Sequence, residues 1–504
     1  MVCITSPKFS LSLNGTLHGF FKGARGMRQG DPLSPYVFVI GMEYLSRKLN
    51  TLKDDRLFRY HPKCSKLKIT HLFFTDDLLL FGRADMNSII RLYNYLNEFS
   101  KVSGLETNPS KCSIFLSGID DNQKMQICSY LNFTEGILPV RYLGMPMISK
   151  RLSWLDCSPL ISKISDQLQH WQKKKALSYA GRLQLIKSVI LGVHLFWTNN
   201  YILSCKVLKR IDKMCSDFLW GHKIPLVSWV SICQDKEYGG LGVFSAKDWN
   251  YAAAIKLLWM IHLKKGLLWI KWVHENYLKR FDIWNVRMKA SDSWIWKQLL
   301  KVRDLMIRRY GSISNLINII ESCCKSENVQ ISFVYRNLVQ PAQKVSWNGT
   351  VWGGFHYPKH SFILWLAIQS RLLTKERLCR MRILDANQNQ CVLCSNHIET
   401  VCHLFFDCYY TAAVWNLVMD WLNFSWRSCS WGEIIHWYSY SLKRKGLTES
   451  LKKMALSSSV YHLWQERNLR IFQFKTHQPG ILFRAIKLSM LSKILNEKLP
   501  VHIR

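Results

Sequence analysis

The sequence predicts an α+β protein in which a small antiparallel, strand-bearing region precedes a longer helical region and a compact cysteine-rich unit. Three observations carry that class. Short N-terminal segments alternate apolar and polar residues and are punctuated by Asn-Gly and Asp-Asp turns. From Ser153 to about residue 325, apolar residues recur at helical spacing among lysines and arginines. Cysteines and a histidine then gather between Cys391 and Cys408 at metal-ligand spacing.

Taken in order, Phe9–Leu13 alternates as a strand, turns at Asn14-Gly15 and re-enters a second strand that leads into a glycine-rich loop, Gly23 to Gly30. Asp31-Pro32 should open a helix, with proline in the first turn and the apolar run from Tyr36 to Ile40 behind it. Leu67–Phe74, then Thr75-Asp76-Asp77, then Leu78–Phe81 read as a hairpin with carboxylates at its tip. A helix over Met86–Ser103 should stop at Gly104, a residue suited to the C′ position. These elements form a first domain, residues 1–150. Residues 151–325 form a helical region, interrupted by turn clusters at Gly221-His222 and Glu237–Gly242. A third domain, 331–425, holds a helix within Pro358–Met381 and the cysteine cluster, and 426–504 is a basic helical tail with no functional signal. No internal repeat or low-complexity tract is present.

With 504 residues and 48% hydrophobic composition, the chain has room for two to four domains with real cores. Lysine and arginine number 69 against 34 acidic residues, a formal charge of +35 spread along the whole sequence, which calls for a polyanionic partner. The 21 Trp, 20 Tyr and 24 Phe interleave with those cations, a composition suited to neutralising a phosphate backbone and stacking on bases. A membrane partner is not expected: Met1 to Ser12 shows no signal-peptide core or acylation motif, and no apolar run reaches spanning length. Sixteen cysteines without a secretory signal point to a reduced, intracellular protein rather than a disulfide scaffold.

Adjacent carboxylates between apolar strands need a reason, because like charges repel and neither is cheaply buried. A divalent metal supplies one, since aspartates are hard oxygen ligands for the Mg²⁺ ions that activate a hydroxyl and stabilise a departing pyrophosphate. Asp-Asp turns are also common in solvent, so the dipeptide alone decides little.

The surrounding order decides more. Phe20–Pro35, which includes Arg25, Arg28, Gln29, Gly30 and Asp31, resembles the segment that precedes the catalytic hairpin of plant LINE-type (non-LTR) retrotransposon reverse transcriptases. Phe74-Thr75-Asp76-Asp77 resembles the hairpin itself, Gly104–Lys111 the next palm motif, and Tyr142-Leu143-Gly144-Met145-Pro146 the segment leading to the thumb. The similarity continues through Trp171, Gly181-Arg182 and Phe218-Leu219-Trp220-Gly221 to Trp415. It implies a partial palm, a thumb-like or connection region, and a terminal zinc-binding domain. It also implies that Asp76 ligates Mg²⁺ with Asp77 beside it, that Arg25, Arg28, Gln29 and Gly30 lie near the incoming nucleotide and template, and that Lys111 assists pyrophosphate departure. A helix from His170 to Lys187 would set Lys173, Lys174, Lys175 and Arg182 on the template-primer backbone.

Two departures from the family pattern stand out. Thr75 occupies the place of the usual alanine. The strand bearing the family's other metal-binding aspartate is expected upstream of the glycine-rich loop, where this chain has only residues 1–22, so it should be inactive alone. Asp31 belongs to the glycine-rich segment and is expected to cap the helix.

Cys391-x2-Cys394, His403 and Cys408 offer three thiolates and one imidazole, a closed tetrahedral set for structural Zn²⁺, with Cys402 and His397 as alternates. The resulting expectation is a remnant or partial RNA-directed DNA polymerase that binds an RNA template and a DNA primer or target inside the cell, in the nucleus. The alternative is a zinc-containing nucleic-acid-binding protein without chemistry. Oligomeric state is not legible.

Overall fold

Asn14 and Gly15 both take positive φ, 48° and 83°, so Lys8–Leu13 folds back on Thr16–Lys22 through a two-residue turn of the type I′ kind. Phe9 and Phe21 stack across the pair at 5.8 Å, but the strands are otherwise exposed. The computed structural model describes residues 8–22, 30–148, 150–173, 177–221, 224–339, 342–353, 355–424, 430–442 and 446–496. Two compact units emerge, residues 1–151 with 258–297, and residues 152–257 with 298–504.

The core of the first unit lies between the Ser34–Asn50 and Met86–Ser103 helices. Leu45 and Leu49 from one meet Leu92, Leu96 and Phe99 from the other, with Leu52 and Phe58 closing the cluster. Asp85 caps the second helix by accepting from the Ser88 N–H at 3.0 Å, and the helix ends, as expected from the sequence, at Gly104, φ 73°. The first helix begins three residues later than Asp31. That carboxylate accepts from the Leu33 N–H at 2.8 Å in a turn just before the helix, so Asp31 shapes the entry rather than serving as the N-cap.

The hairpin His71–Phe74/Asp77–Leu80 docks on this core through one face. Phe73 pairs with Leu78, His71 with Leu80, and Phe73, Leu78 and Leu80 all pack against the cluster. Because side chains alternate, Leu72, Phe74, Asp77 and Leu79 must face the other way. Residues 258–297 join this unit through Trp272, whose indole N–H donates to the Lys63 carbonyl at 2.9 Å, and through the Lys66–Glu275 ion pair at 3.4 Å. The compact units therefore divide the 151–325 stretch, which the sequence reads as one helical region.

In the second unit the expected single helix from His170 to Lys187 is absent. The Ser158–Gln172 helix ends, and a new one, Tyr179–Leu185, starts where Ser178 accepts from the Gly181 N–H. The Cys205–Trp220 helix ends at Gly221, φ 64°. Its aromatic end joins Phe362 and Trp365 of the Pro358–Ile368 helix, with Tyr179 stacked on Phe362 at 5.4 Å. Trp365 donates its indole N–H to the Gly239 carbonyl at 2.8 Å, which fixes the Glu237–Gly242 turn. Only glycine suits position 240, where a Cβ would lie 2.0 Å from the Gln234 carbonyl oxygen.

The described residues of the basic helical tail, 430–442 and 446–496, are largely helical and pack into this unit. Leu447–Gln473, a helix about 40 Å long, packs against the Pro358–Ile368 helix and buries Met454, Leu456, Val460 and Leu463. Three small buried residues, Ser457, Ser458 and Ser459, permit close approach, and Tyr461 stacks on His360 at 4.3 Å. The Tyr409–Trp421 and Pro479–Asn496 helices complete the layer. Among the described residues no helix is long and apolar enough to cross a membrane.

Candidate metal centres

The outward face of the His71–Leu80 hairpin carries Asp77, and its two-residue turn consists of Thr75 and Asp76. Thr75 sits at φ 50°, a conformation that a β-branched residue adopts only when its surroundings hold it there. Its hydroxyl lies 2.8 Å from both the Phe74 carbonyl and Asp76 Oδ1. That hydroxyl, then the residue's own N–H and the nearby Lys111 charge, hold the Asp76 carboxyl below its ordinary range. Both aspartates are exposed, and neither forms an ion pair among the described residues.

Lys111 reaches this neighbourhood from the turn Pro109–Lys111, which Asn108 caps by accepting from the Ser110 N–H at 3.0 Å. Tyr142 approaches from the hairpin Val140–Tyr142/Met145–Met147; burial, then the Asp77 charge, raise its phenol. Lys111 and Tyr142 thus stand within electrostatic reach of the two aspartates. Sequence reading missed Tyr142 as a neighbour of the carboxylates, although its place at the head of the Tyr-Leu-Gly motif was a usable signal.

Exposed, unpaired carboxylate oxygens suit Mg²⁺. Among the described residues, however, no third acidic, cysteine or histidine group joins them in a metal-sized cluster. Gly30 is described and takes φ 87°, whereas Arg25, Arg28 and Gln29 lie outside the described residues.

Of the proposed backbone-gripping cations, Lys173 is exposed in a turn, and Lys174 and Lys175 lie outside the described residues. Arg182 is already occupied. Its guanidinium lies over the Tyr179 ring and donates to the Phe218 and Leu219 carbonyls, satisfying the end of the Cys205–Trp220 helix. Lys187 is engaged too, donating to the Leu241 carbonyl, and burial lowers its ammonium to about 8.

The cysteine-histidine cluster forms as a unit. Cys391, Cys394, His403 and Cys408 are all buried, and their ligand atoms lie within 4.8 Å of one another. The first two thiols sit on a knuckle in which the Ser395 N–H donates to the Cys391 carbonyl and the Cys391 N–H to the His397 carbonyl, each at 2.7 Å.

The spacing of the other pair is informative. In an α-helix, residues five apart point about 140° away from each other, so His403 and Cys408 would diverge. Instead His403–Asp407 forms one wide π turn in which the Cys408 N–H donates to the His403 carbonyl at 2.9 Å, returning the thiol beside the imidazole. Cys394 Sγ and His403 Nε2 then stand 3.2 Å apart. Cys391 donates toward Cys408, which lowers the Cys408 thiol and raises its own. Of the alternates, Cys402 is exposed, and His397 is exposed with its ring stacked on His403 at 5.0 Å.

A further layer braces these ligands. Glu399, fully buried between the knuckle and the π turn, accepts from Arg467 Nη2 at 2.8 Å and from the Lys375 N–H at 2.9 Å. Arg470 donates to the Leu393 carbonyl inside the knuckle and to Glu466, while Glu466 also holds His477. Both arginines lie on the Leu447–Gln473 helix, in the region where the sequence offered no signal. Three soft thiolates and one imidazole in a dry, closed cluster fit Zn²⁺.

Comparison with known proteins agrees with this geometry. Residues 2–147 match the family model for reverse transcriptase (RNA-dependent DNA polymerase), and residues 330–415 match that for zinc-binding in reverse transcriptase. An Arabidopsis thaliana protein described as a ribonuclease H protein is 31% identical over 178 residues, covering 34% of this chain and 28% of that protein. The Pol polyprotein of the R2DM retrotransposable element of Drosophila melanogaster is 25% identical over 389 residues, 74% of this chain and 32% of the polyprotein. The R2 polyprotein of Popillia japonica is 27% identical over 225 residues, 42% of this chain and 35% of that protein. The chain thus spans about a third of each of these relatives. With an exposed Asp-Asp hairpin inside one matched segment and a four-ligand cluster inside the other, the chain carries a segment like the reverse transcriptases and a segment like their zinc-binding domain, and is similar to the Pol polyproteins of R2 retrotransposable elements.

Proposed function

We propose that this chain contributes the Asp-Asp half of an RNA-directed DNA polymerase palm, holds RNA template and DNA primer, and does not extend a primer by itself. The observation that carries the reading is the hairpin. Its core face, Phe73, Leu78 and Leu80, leaves Asp76 and Asp77 exposed and unpaired beside Lys111, ready for a divalent ion.

Mg²⁺, when bound, would lower the pKa of the primer hydroxyl and stabilise the departing pyrophosphate. Asp76 and Asp77 would hold it, and Lys111 would meet the negative charge that develops on the leaving group. Thr75 orients Asp76 by holding one carboxylate oxygen, leaving Oδ2 for a ligand. Two-metal chemistry needs further oxygen ligands, and the lack of a third carboxylate in the cluster among the described residues supports inactivity in isolation.

The zinc cluster has no open position, so its role is structural: it folds a basic domain against nucleic acid. That domain and the +35 charge also favour the second reading, a nucleic-acid-binding protein without chemistry. Action in the nucleus, at a DNA target, accompanies either reading.

Fluorescence anisotropy with an RNA–DNA hybrid tests the binding that both readings share. Binding should weaken steeply and linearly in log salt and survive Asp76→Ala. A chain that fails to bind hybrid at low salt would overturn both.

A further inference from the structure

Beside the zinc knuckle, the Lys375–Arg380 helix, the Ala386–Gln388 turn and the end of the Leu447–Gln473 helix line a cleft of 430 Å³. Leu378 and Ile471 give it apolar walls, while Asn387, Gln388 and Gln390 bring carboxamides. These three amides form no hydrogen bond with protein among the described residues, so each keeps both a donor and an acceptor for a ligand. Phe472 stands at the cleft 73% exposed, and Phe474, two residues on, is 89% exposed.

The charges narrow the ligand. Arg467 also lines the cleft, but its guanidinium is committed to Glu399 and the Leu373 carbonyl. Lys375 makes no ion pair among the described residues and is the available cation. One free ammonium, several unspent amides and an exposed ring beside apolar walls match a flat heteroaromatic group with hydrogen-bonding edges and an attached phosphate. A duplex is too wide for such a cleft, and its bases are already stacked and paired.

We propose that this cleft holds one unpaired nucleobase of a single-stranded nucleic acid, stacked on Phe472, with its edge read by the carboxamides and its phosphate held by Lys375. The inference rests on the nucleic-acid-binding reading and adds to it a place and a strand state. The zinc cluster contributes at a distance, by fixing the knuckle on the Leu447–Gln473 helix through the Arg470 contact to Leu393.

The test uses the whole zinc-loaded chain and short oligouridine or oligothymidine carrying one 2-aminopurine, whose fluorescence falls when it stacks. The unaltered protein should bind and quench the probe, whereas Phe472→Ala should bind about tenfold more weakly and lose the quenching. Phe472→Trp should restore both, and Gln388→Ala should weaken binding without abolishing quenching. Melting temperature and zinc content should not move in these variants, because both side chains are exposed. If the unaltered chain binds the strands and Phe472→Ala binds and quenches equally well, the cleft is not the base site and only the general binding reading survives. If the unaltered chain binds no nucleic acid, that broader reading falls and this one with it.

Discussion

The two candidate metal centres of this chain are built on opposite physical plans. The zinc cluster is buried, saturated and braced: four ligands, a π turn that brings two of them together, and a layer of ion pairs from a distant helix. The Asp-Asp hairpin is anchored on one face only, and its carboxylates lie in solvent with one hydroxyl and one lysine as neighbours. A closed soft-ligand set belongs to folding, while an open hard-oxygen pair belongs to chemistry that substrate and metal must complete. Perturbing one site should change stability strongly, and perturbing the other only slightly.

The largest expected effect is Cys408→Ser. Structural zinc contributes on the order of 10 kcal/mol to small folded domains, so this variant should lose its zinc and melt its surroundings. Metal analysis with calorimetry would show it, and unchanged metal content and melting would refute the assignment. Next comes Glu399→Ala, which strands Arg467 in the core and should cost about 3–5 kcal/mol, read by urea unfolding. Zinc should be held more weakly in that variant.

Acid should act through a different set of groups. Burial lowers His356 to about 3, His360 to about 2 and His462 to about 4, with nearby lysines adding to the shift. These folded-state values lie below the unfolded value near 6.5, so the stabilisation is complete above that pH. It is lost as pH falls from 6.5 toward the folded values, at no more than about 1.4 kcal/mol per pH unit per histidine. Replacing His360 with Phe should flatten the slope of unfolding free energy between pH 7 and 5; an unaltered slope would show that these histidines do not set it.

The smallest effect is expected at the hairpin tip. Thr75→Gly removes the cost of φ 50° and should stabilise the first unit by on the order of 0.5 kcal/mol, while freeing Asp76 Oδ1 and raising its carboxyl toward the ordinary range. Titration by NMR would detect both, and a destabilised hairpin would mean that the hydroxyl contacts outweigh the strain.

Legibility followed the range of the interactions. The Asn14-Gly15 and Thr75-Asp76 turns, the Met86–Ser103 helix and the four zinc ligands were readable because their signals lie within a few residues of the structure they specify. The break between Gln172 and Tyr179 was hidden by a continuous run of basic and apolar residues, although Ser178 with Gly181 held the cap signal. Arg182 read as a phosphate ligand because sequence does not show that two carbonyls at Phe218 and Leu219 would claim it. The tail was opaque for the same reason. Arg467 and Arg470 acquire meaning only when Glu399 and Leu393, far off in sequence, come beside them.

The proposed contrast between a closed zinc cluster and an open carboxylate pair is tested most directly by primer extension on an RNA template with Mg²⁺ or Mn²⁺, using the purified zinc-loaded chain. The account predicts that hybrid is bound and no cDNA is made, in the unaltered chain and in Asp76→Ala alike. Clear cDNA synthesis that disappears in Asp76→Ala would contradict it.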